Sequence, residues 1–435
     1  MDRKKIATLT LGCKVNSYDT QAMLELFINK GYDVEDFSNF ADVYLINTCT
    51  VTNLGDKKSR QMIRRAKKQN PNAIIVAAGC YAQVSPDEVS KVEGINLIIG
   101  TKDRNNIVDL LEDYELSQGV LNAVTDINQE SEFENLEINS LSSRTRAFVK
   151  IQEGCNEFCS YCIIPYARGR VRSRKPEDVL SEVNRLVENG FKEIVIGGIN
   201  VASYGKDTGN INLLGLLKQI HEVEGLKRIR FSSIEPNVVT EEFVECIKNL
   251  EKVCDFFHLS LQSGCDKILK SMNRKYNTNE YREAVNRLRL TMPNVGISTD
   301  IIVGFPGESE EDFLESLNFA EEMEFSKIHI FPYSAKKGTK ASTFQNQVDS
   351  DIKQKRANEM KKIDVKAQEN FLKKYLNKEL DVLYEKKVES KIYEGYSTNY
   401  IKVHSYSEKC VENKILKVEI NGIQDFFCIS DKIHL

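Results

Sequence analysis

Short apolar runs alternate with amphipathic stretches along the first part of the chain. Stretches with apolar residues at helical spacing, such as 17–31 and 57–70, separate four runs rich in Val, Ile, Leu and Ala. Strands that alternate with helices predict a parallel sheet covered on both faces, here an N-terminal α/β domain over residues 1–111. The four runs are IATLTLGC (6–13), DVYLINTC (42–49), AIIVAAGC (73–80) and GINLIIGT (94–101).

A second series of strands follows residues 112–143, whose acids, Asn and Ser predict a partly ordered linker. Five amphipathic stretches separate six strand candidates in residues 144–379. Six β/α units are fewer than the eight of a closed barrel, so we expect an open (β/α)6, three-quarter TIM-like barrel. The strand candidates are AFVKI (147–151), EIVIGG (193–198), RIRFSS (228–233), FFHLSL (256–261), GISTDIIVG (296–304) and KIHIFPY (327–333).

The last part of the chain changes pattern again. A basic helical stretch over residues 352–379 leads into residues 380–435, where Val, Ile, Tyr and Lys alternate between Gly and Asn turns. This alternation predicts about five short antiparallel strands and a small β-barrel of the oligonucleotide-binding (OB, TRAM-like) type. The whole chain is therefore expected to be an α/β protein of three domains.

Composition limits the class of protein. With 435 residues, 41% hydrophobic and 29% charged, a folded chain of two or three domains is expected. The longest apolar runs are far shorter than the roughly 20 residues of a membrane span, and the N-terminus lacks the apolar region of a signal peptide. The eleven cysteines therefore indicate reduced thiols in the cytoplasm rather than a disulfide framework.

Positive charge is concentrated although the net charge is −4. Residues 57–68 carry seven basic side chains and no acid, residues 167–175 carry five basic side chains, and residues 352–379 are also basic. Such stripes suit a polyanion. Solvated helix faces explain any single stripe equally well.

Three cysteines within eight residues, Cys155, Cys159 and Cys162, can reach one metal centre from a single loop. A zinc site needs four ligands, and the nearest histidine in the sequence is His221. An iron–sulfur cube held by three cysteines leaves one iron open to a cofactor with an amine and a carboxylate. The loop follows the first barrel strand, where β/α barrels place their sites.

A second set of three cysteines ends three of the N-terminal apolar runs. Ligands of open parallel sheets collect beyond the carboxyl ends of the strands. Cys13, Cys49 and Cys80 all fall there, so the fold is expected to bring them together although 36 and 31 residues separate them.

The motifs that surround both sets give the chain a family resemblance. GCNEFCSYCIIPYARG resembles the cluster loop of radical S-adenosylmethionine (SAM) enzymes. Together with TLGCKVNSYDT, INTCTVT, AAGCYAQ, LQSGCDKILKSMNRKY and TDIIVGFPGE, it makes the whole chain similar to the methylthiotransferases. Within that family, GCKVN, QSGCDK and MNRKY are most similar to the enzymes that act on N6-threonylcarbamoyladenosine (t6A) of tRNA.

The resemblance implies two 4Fe–4S clusters and SAM as cofactors. Cys155, Cys159 and Cys162 would hold the SAM-binding cluster. An auxiliary cluster that carries or receives the transferred sulfur would be held by Cys13, Cys49 and Cys80.

The resemblance also implies the contacts of SAM. Tyr161 would lie near the adenine, and the methionine part would lie at a glycine turn. Glu235 and Gln262 would offer polar contacts at the next strand ends. The turn residues are Gly197, Gly198 and Asn200, and the residues that would frame the adenosine pocket are Asp300, Ile302 and Gly304.

By this resemblance the chain adds a methylthio group to carbon 2 of t6A at position 37 of a tRNA anticodon loop. Its partners would be that loop, an electron donor such as flavodoxin or ferredoxin, and a sulfur source; no membrane is involved. Three alternatives remain: the same transfer to isopentenyl-adenosine, transfer to a ribosomal-protein aspartate, and a non-enzymatic iron–sulfur or RNA-binding scaffold. The five histidines contain no H-x-x-x-H pair and are expected to be structural.

Overall fold

The protein, seen in a computed structural model, is described over residues 3–116, 119–136, 138, 145–431 and 433. Its strands form an N-terminal parallel sheet, two parallel sheets that together make an open barrel, and a C-terminal, mostly antiparallel sheet. This arrangement confirms the predicted fold class. Across the described ranges, no helix has the length and apolar character that crossing a membrane requires.

The N-terminal sheet has six parallel strands in the order β2-β1-β3-β4-β5-β6. Its strands are β1 (Lys5–Thr10), β2 (Asp33–Glu35), β3 (Val43–Thr48), β4 (Ile74–Gly79), β5 (Leu97–Ile98) and β6 (Leu121–Asn122). Its helices are α1 (Lys14–Asn29), α2 (Asn53–Gln69), α3 (Cys80–Val84), α4 (Pro86–Ser90) and α5 (Ile107–Leu116).

Helices cover both faces of this sheet, as its continuous apolar strands predicted. Met23 and Phe27 of α1 and Leu111 of α5 pack on one face. Ile63 of α2 and Tyr81 of α3 pack on the other. The apolar rows of both faces are buried, so the carboxyl ends of the strands are the edge that remains for chemistry.

The boundary that we expected at residue 111 differs from the structure. Helix α5 runs on to Leu116, and β6 lies inside the predicted linker, where Leu121 and Asn122 pair with β5. Leu121 also packs against the core beneath α1 and α5. A two-residue strand with one half-buried leucine was too short a signal to separate from the polar sequence around it. Most of the end of the predicted linker, residues 139–143, lies outside the described residues.

The barrel has six parallel strands and one short added strand. In chain order its strands are β7 (Arg146–Glu153), β8 (Arg172–Ser173), β9 (Glu193–Gly198), β10 (Arg228–Phe231), β11 (Phe256–His258), β12 (Gly296–Val303) and β13 (Lys327–Pro332). Its helices are α6 (Ile164–Arg168), α7 (Pro176–Glu188), α8 (Leu213–His221), α9 (Glu241–Lys248), α10 (Asp266–Ser271), α11 (Thr278–Thr291), α12 (Glu310–Glu322) and α13 (Ser350–Lys373).

The barrel is open on one side. Strands pair in the orders β10-β9-β7-β8 and β11-β12-β13, and parallel bridges at Ile229–Val253 and Ile234–Leu259 join the two groups. Strand β8 is antiparallel to β7. In the part of the chain that the structure describes, β13 pairs only with β12, so the barrel is open at that strand.

The C-terminal sheet has six strands, one more than the pattern predicted, in the order β17-β14-β15-β16-β19-β18. Its core includes the end of α13. One pair of strands, β16 and β19, is parallel. The strands are β14 (Glu379–Glu389), β15 (Ile392–Ser397), β16 (Lys402–Tyr406), β17 (Ile415–Glu419), β18 (Gly422–Gln424) and β19 (Phe427–Ser430).

The C-terminal domain covers the amino end of the barrel. Arg228 donates to the carbonyls of Tyr396 (3.0 Å) and Asp381 (2.7 Å). Arg230 donates to the carbonyls of Thr398 (2.9 Å) and Ser397 (3.2 Å). Backbone acceptors of the tail therefore satisfy two buried cations of β10, and they leave the opposite, carboxyl end of the barrel free.

Candidate functional site: two cysteine sets joined by a buried charge network

The first cysteine loop leaves the carboxyl end of β7. Gly154 has φ +72°, and a Cβ at this position would lie 1.8 Å from the carbonyl oxygen of Arg170, so only glycine fits. The N–H of Cys155 donates to the carbonyl of Gly169 at 3.0 Å. These contacts fold the loop back on itself and direct three thiols toward one cavity.

The segment 271–274 holds this loop from the other side. Ser160 donates its N–H to the Met272 carbonyl (2.9 Å), and the Asn273 amide donates to the carbonyls of Glu157 and Phe158 (3.2 and 3.1 Å). Arg274 Nη1 donates to Cys159 Sγ at 3.3 Å. The sequence motif MNRKY therefore acts as a clamp on the cysteine loop.

Arg274 is a site residue that sequence reasoning did not single out. Its side chain is only 6% exposed, it pairs with Glu235 at 3.0 Å, and its Nε donates to the Tyr276 hydroxyl at 2.9 Å. Burial raises the pKa of Glu235, whereas Arg274 opposes this rise. A cation beside a cysteine sulfur favours the thiolate, which is the form that binds iron.

One cavity gathers most of the predicted SAM-site residues, while other residues complete its wall. The predicted residues in its wall are Cys155, Cys159, Cys162, Tyr161, Asn200, Glu235 and Gln262. The other wall residues are Glu157, Ile164, Ile199, Ser233, Ile234, Ser260 and Arg274.

The remaining predicted residues do not line this cavity. A Cβ at Gly197 would lie 2.1 Å from the Phe148 ring, so that glycine has a packing role. Gly198 lies against Gln152 in the same way. Gly304 has φ +70° and donates its N–H to Glu308 at 2.7 Å, as part of a turn.

Two further predicted residues, Ile302 and Asp300, lie on β12. Ile302 packs with Tyr161 on one apolar cluster, and Asp300 lies two residues further down the strand. Gln262 connects this strand to the cavity, because its N–H donates to Asp300 O (2.8 Å) and its carbonyl accepts from the Ile302 N–H (2.9 Å). Gln262 has φ +71°, a strained conformation that is typical of functional sites in non-glycine residues.

The donor set of the cavity fits an iron–sulfur cluster. Three thiols from one loop share it, and Asn200 Nδ2 and Arg274 Nη1 point at Cys155 Sγ (3.9 Å) and Cys159 Sγ (3.3 Å). Burial raises the pKa of Cys155 to about 11 and that of Cys162 to about 12. Hydrogen-bond donors at the sulfurs are a usual feature of such clusters.

The second cysteine set lies at the carboxyl edge of the N-terminal sheet. Cys49 and Cys80 directly follow β3 and β4, and Cys13 directly precedes α1. Asn16 holds two of the strand ends, donating to the carbonyls of Leu11 (2.8 Å) and Thr48 (3.0 Å). Burial raises the pKa of Cys80 to about 11. A Cβ at Gly12, the residue before Cys13, would lie 2.9 Å from Cys49 Sγ, and Cys80 Sγ lies 3.9 Å from Asn16 Oδ1, so the three thiols belong to the same edge of the sheet.

Arg168 connects the two cysteine sets. It ends α6, the helix that begins just after Cys162, and it is fully buried. Its Nε donates to Cys80 Sγ at 3.3 Å, and its Nη2 donates to Asn16 Oδ1 at 2.5 Å. One short helix therefore runs from one set of thiols to the other.

The same arginine belongs to a buried network of three cations and three carboxylates. Asp19 is within 3.0 Å of Arg104, Lys150 and Arg168, and Glu153 also contacts all three. The third carboxylate, Glu134, pairs with Arg104 at 2.8 Å. Formal charges balance, and the network joins the N-terminal domain to the barrel.

The predicted basic stripe at 167–175 is for the most part not a polyanion surface, contrary to expectation. Arg168, Arg172 and Arg174 are almost completely buried, and Arg174 pairs with Glu182. Their charges serve the interface between the domains. Arg170 alone among the four arginines is exposed.

The other two basic stripes differ in their partners. On α2, only Arg60 has a carboxylate within salt-bridge distance among the described residues (Glu88, 4.0 Å). On α13, most cations face acids: the described pairs join Lys355, Arg356, Lys361, Lys366 and Lys373 to carboxylates at 2.6–3.9 Å. The charge of α2 is therefore free to meet phosphates, whereas that of α13 is largely neutralised.

Two histidines prove to lie beside a predicted site residue. His258 Nε2 is 3.3 Å from Asp300 Oδ2, and ligand atoms of His258, Asp300 and His329 all lie within 4.8 Å of one another. No H-x-x-x-H spacing marks this group, because its members come from three neighbouring strands. Because side chains alternate between the two faces of a strand, the positions of His258, Asp300 and His329 in their strands were the sequence signal that places them on one face.

Comparison with known proteins agrees with both halves of this site. The model of the radical SAM superfamily matches residues 149–320, and the model described as uncharacterized protein family UPF0004 matches residues 5–100. The first range contains the loop of Cys155, and the second contains Cys13, Cys49 and Cys80. A cobalamin- and cluster-bound radical SAM methyltransferase, TsrM from Kitasatospora setae, shares the fold at 11% identity, with a TM-score of 0.56 over 76% of this chain and 75% of that one.

Similarity to curated relatives extends over nearly the whole chain. Threonylcarbamoyladenosine tRNA methylthiotransferase MtaB from Bacillus subtilis is 42% identical over 95% of this chain and 93% of its own length. The MtaB of Aquifex aeolicus is 44% identical over 87% and 92%. A tRNA-2-methylthio-N(6)-dimethylallyladenosine synthase of Clostridium botulinum is 37% identical over 90% and 86%.

Proposed function

The chain belongs to the radical SAM methylthiotransferases, and we propose that it adds a methylthio group to carbon 2 of t6A at position 37 of the tRNA anticodon loop. Two of the relatives described above are named for this reaction. The relative from Clostridium botulinum is named for the corresponding reaction on dimethylallyladenosine, which remains the second candidate.

The link through Arg168 is the observation that carries this proposal. A sulfur-carrying centre and a SAM-binding centre must both reach one substrate base. Helix α6 begins two residues after Cys162 and ends at Arg168, and the guanidinium of Arg168 contacts Cys80. Both cysteine sets therefore lie beside the same interface between the N-terminal domain and the barrel.

We assign the six cysteines to two 4Fe–4S clusters, the cofactors of this family. Cys155, Cys159 and Cys162 would hold the SAM-binding cluster. The auxiliary cluster would be held by Cys13, Cys49 and Cys80. When bound, these groups and SAM supply radical hydrogen abstraction and the methylthio group, which side chains cannot provide.

The protein's own residues position the cofactor in this proposal. Tyr161, Asn200, Glu235 and Gln262 line the cavity of the cysteine loop and would contact SAM. Arg274 would hold Glu235 and the loop in place. The end of β9 at Gly197 and Gly198 would present backbone amides to the methionine part. The backbone at Asp300, with Ile302 and Gly304, would frame the adenosine side, while the Asp300 carboxylate points into the barrel beside His258.

The partners follow from the substrate. The unpaired cations of α2 would hold tRNA phosphates, and the C-terminal domain would add to that surface. Reductive cleavage of SAM needs an electron donor such as flavodoxin or ferredoxin, and repeated turnover needs a sulfur source. We place the reaction in the cytoplasm, because that compartment contains mature tRNA and keeps thiols reduced.

Mass spectrometry of tRNA nucleosides from a deletion strain tests the proposal. We expect 2-methylthio-t6A to disappear, t6A to accumulate, and the full chain to restore the product. Loss of 2-methylthio-isopentenyl-adenosine instead would assign the second candidate. If neither nucleoside changes, the tRNA substrate is wrong.

A further inference from the structure

The inner face of the barrel carries a row of polar side chains on its open side. His258, Asp300 and His329 lie on β11, β12 and β13, where Asp300 and His329 are register partners. His258 Nε2 is 3.3 Å from Asp300 Oδ2, and its Nδ1 is 2.9 Å from the Ser298 hydroxyl. We call these three residues the lumen row.

The row faces the barrel interior and not the helices. On the same strands, Ile297, Ile301 and Ile328 are buried in the core shared with the surrounding helices. Side chains alternate along a strand, so Asp300 and His329 point to the opposite, inner face. Asp300 retains 31% of its side-chain exposure, and His329 is exposed.

The row lies one step below the cavity of the cysteine loop. His258 is two residues from Ser260, which lines that cavity, and the N–H of Gln262, another wall residue, donates to the Asp300 carbonyl at 2.8 Å. Two residues of a strand span about 6.6 Å. If an RNA base enters the cavity from the open side of the barrel, a substituent that is a few bonds long can therefore reach from the base to the lumen row.

An exposed aromatic ring completes the inner face of β13. Phe331 is the register partner of Ile302, lies two residues beyond His329, and is 49% exposed. Exposed aromatic side chains are the usual platforms for unpaired bases of RNA. Strand β13 is the last of its sheet, so this ring stands at the entrance of the barrel.

We propose that the lumen row binds the threonylcarbamoyl substituent of t6A while Phe331 stacks on the adenine that carries it. This inference rests on the proposed function and names the residues that select its substrate. The substituent ends in a carboxylate and a hydroxyl, which the imidazoles and Asp300 match as donors and acceptor. A dimethylallyl group offers neither, so it would take no hydrogen bond from His329 and would leave the exposed polar side of the row desolvated.

The ionisation of the row fits an anionic ligand. Although one side of its ring is exposed, partial desolvation by the barrel wall lowers the pKa of His329, and the Asp300 carboxylate acts against this change. The free histidine is therefore a neutral donor, and a carboxylate bound beside it favours the protonated, doubly donating form.

The test compares His329→Ala and Phe331→Ala with wild type on anticodon stem-loops that carry t6A or unmodified adenosine. Matched controls are His221→Ala on α8 and Phe40→Ala, a 61% exposed phenylalanine of the N-terminal domain. Each protein is reconstituted, and both product and 5′-deoxyadenosine formed without RNA are measured. The second readout reports the SAM site and the fold.

We expect His329→Ala to lower kcat/KM on t6A by about 10- to 100-fold, as loss of a hydrogen bond to a charged group does. Its rate on unmodified adenosine should not fall, so the preference for t6A shrinks by that factor. Phe331→Ala should lower kcat/KM on both RNAs. SAM cleavage without RNA should equal that of wild type in all four variants.

Three results would overturn the inference. The first is an unchanged preference for t6A in His329→Ala. The second is a loss of RNA-independent SAM cleavage equal to the loss of product, which would assign the row to SAM. The third is a divalent metal other than iron that wild type binds in a one-to-one ratio and His329→Ala does not, which would make the row a metal site. A wild type that methylthiolates isopentenyl-adenosine and not t6A would instead refute the proposed function.

Discussion

Single residues between the N-terminal domain and the barrel carry an unusual amount of buried charge. Burial alone would raise the pKa of Asp19, but Arg104, Lys150 and Arg168 outweigh it and lower that pKa below its ordinary value of 3.8. A carboxyl with a lowered pKa stabilises the folded state above its ordinary pKa and loses this contribution as the pH falls. Docking of the two domains should therefore weaken in acid.

Asp19→Asn tests this network at neutral pH. The substitution keeps the shape and leaves three buried cations with too little negative charge, so we expect a loss of about 3–5 kcal/mol in the free energy of unfolding. Urea titration measures it. Asp36→Asn is the control, because among the described residues the hydrogen bonds of that exposed carboxylate go to Ser38 of its own loop. Equal midpoints for both variants would show that the network does not stabilise the interface.

Arg274 offers a prediction at the first cysteine loop. Arg274→Gln removes the cation at Cys159 and leaves the buried Glu235 without its partner. Changes around metal ligands commonly cost about 10- to 100-fold, and we expect SAM cleavage to slow by that factor. The reduction potential of the SAM-binding cluster should become more negative, because a positive charge beside it is lost. A redox titration monitored by electron paramagnetic resonance measures this potential. A normal potential with slow cleavage would assign Arg274 to SAM binding alone.

For single residues, the sequence predicted the positions of the cysteines better than the side chains that contact their sulfurs. Cys13, Cys49 and Cys80 follow strand ends in the pattern itself, so their edge of the sheet was predictable. Arg168 and Arg274 were not, because a basic residue next to a motif has the same sequence signal whether it contacts a sulfur or solvent. His258 and His329 were missed for a related reason: their neighbours come from other strands.

Helices α2 and α13 give a matched pair at the scale of elements. Replacing Lys57, Lys58, Arg64 and Arg65 of α2 with Gln should weaken tRNA binding and reduce its salt dependence by about one unit of slope per lost phosphate contact. SAM cleavage should persist, since these side chains are exposed. Fluorescence anisotropy at several salt concentrations measures both effects.

The control for α2 comes from the helix whose charges are paired. Four lysines of α13, changed to Gln, remove the same formal charge but mainly break contacts with neighbouring acids. The residues are Lys355, Lys361, Lys366 and Lys373. An equal effect of the two sets on affinity and slope would mean that total charge, not the surface of α2, determines binding.

The C-terminal domain gives the second prediction for an element. Deleting residues 380–435 removes the carbonyls that accept from Arg228 and Arg230 and exposes the apolar end of α13, which shares its core with the tail. Because Phe371, Leu372 and Tyr375 lose that burial, we expect the shortened chain to be less stable by at least about 3 kcal/mol and to cleave SAM poorly, although its cysteines are intact. An unchanged melting temperature and cleavage rate would show that the tail serves tRNA binding alone.

For the whole molecule, the N-terminal sheet, the open barrel and the C-terminal sheet were predictable because each depends on local periodicity. The docking of the sheets was not, because it depends on charges far apart in sequence, such as Asp19 with Lys150. The same holds for the tail, whose alternating strands predicted a barrel but not the arginines that it covers. Domain placement decides function here, since it brings the two cysteine sets to one interface.

The division of roles between those sets is the central claim, and SAM turnover in cysteine variants tests it most directly. Wild type should hold about eight iron, two cubes of four, and each triple Cys→Ala variant about half. Cys410→Ala, at an exposed cysteine of the tail, is the control. Circular dichroism must first show that each variant is folded, because bound clusters can add stability.

The measurement is 5′-deoxyadenosine against methylthiolated product under reducing conditions. Replacing Cys13, Cys49 and Cys80 should abolish the product and keep SAM cleavage, because Arg274 and the cavity of the first loop remain. Replacing Cys155, Cys159 and Cys162 should abolish both. Equal and complete loss of SAM cleavage in the two folded variants would contradict the account.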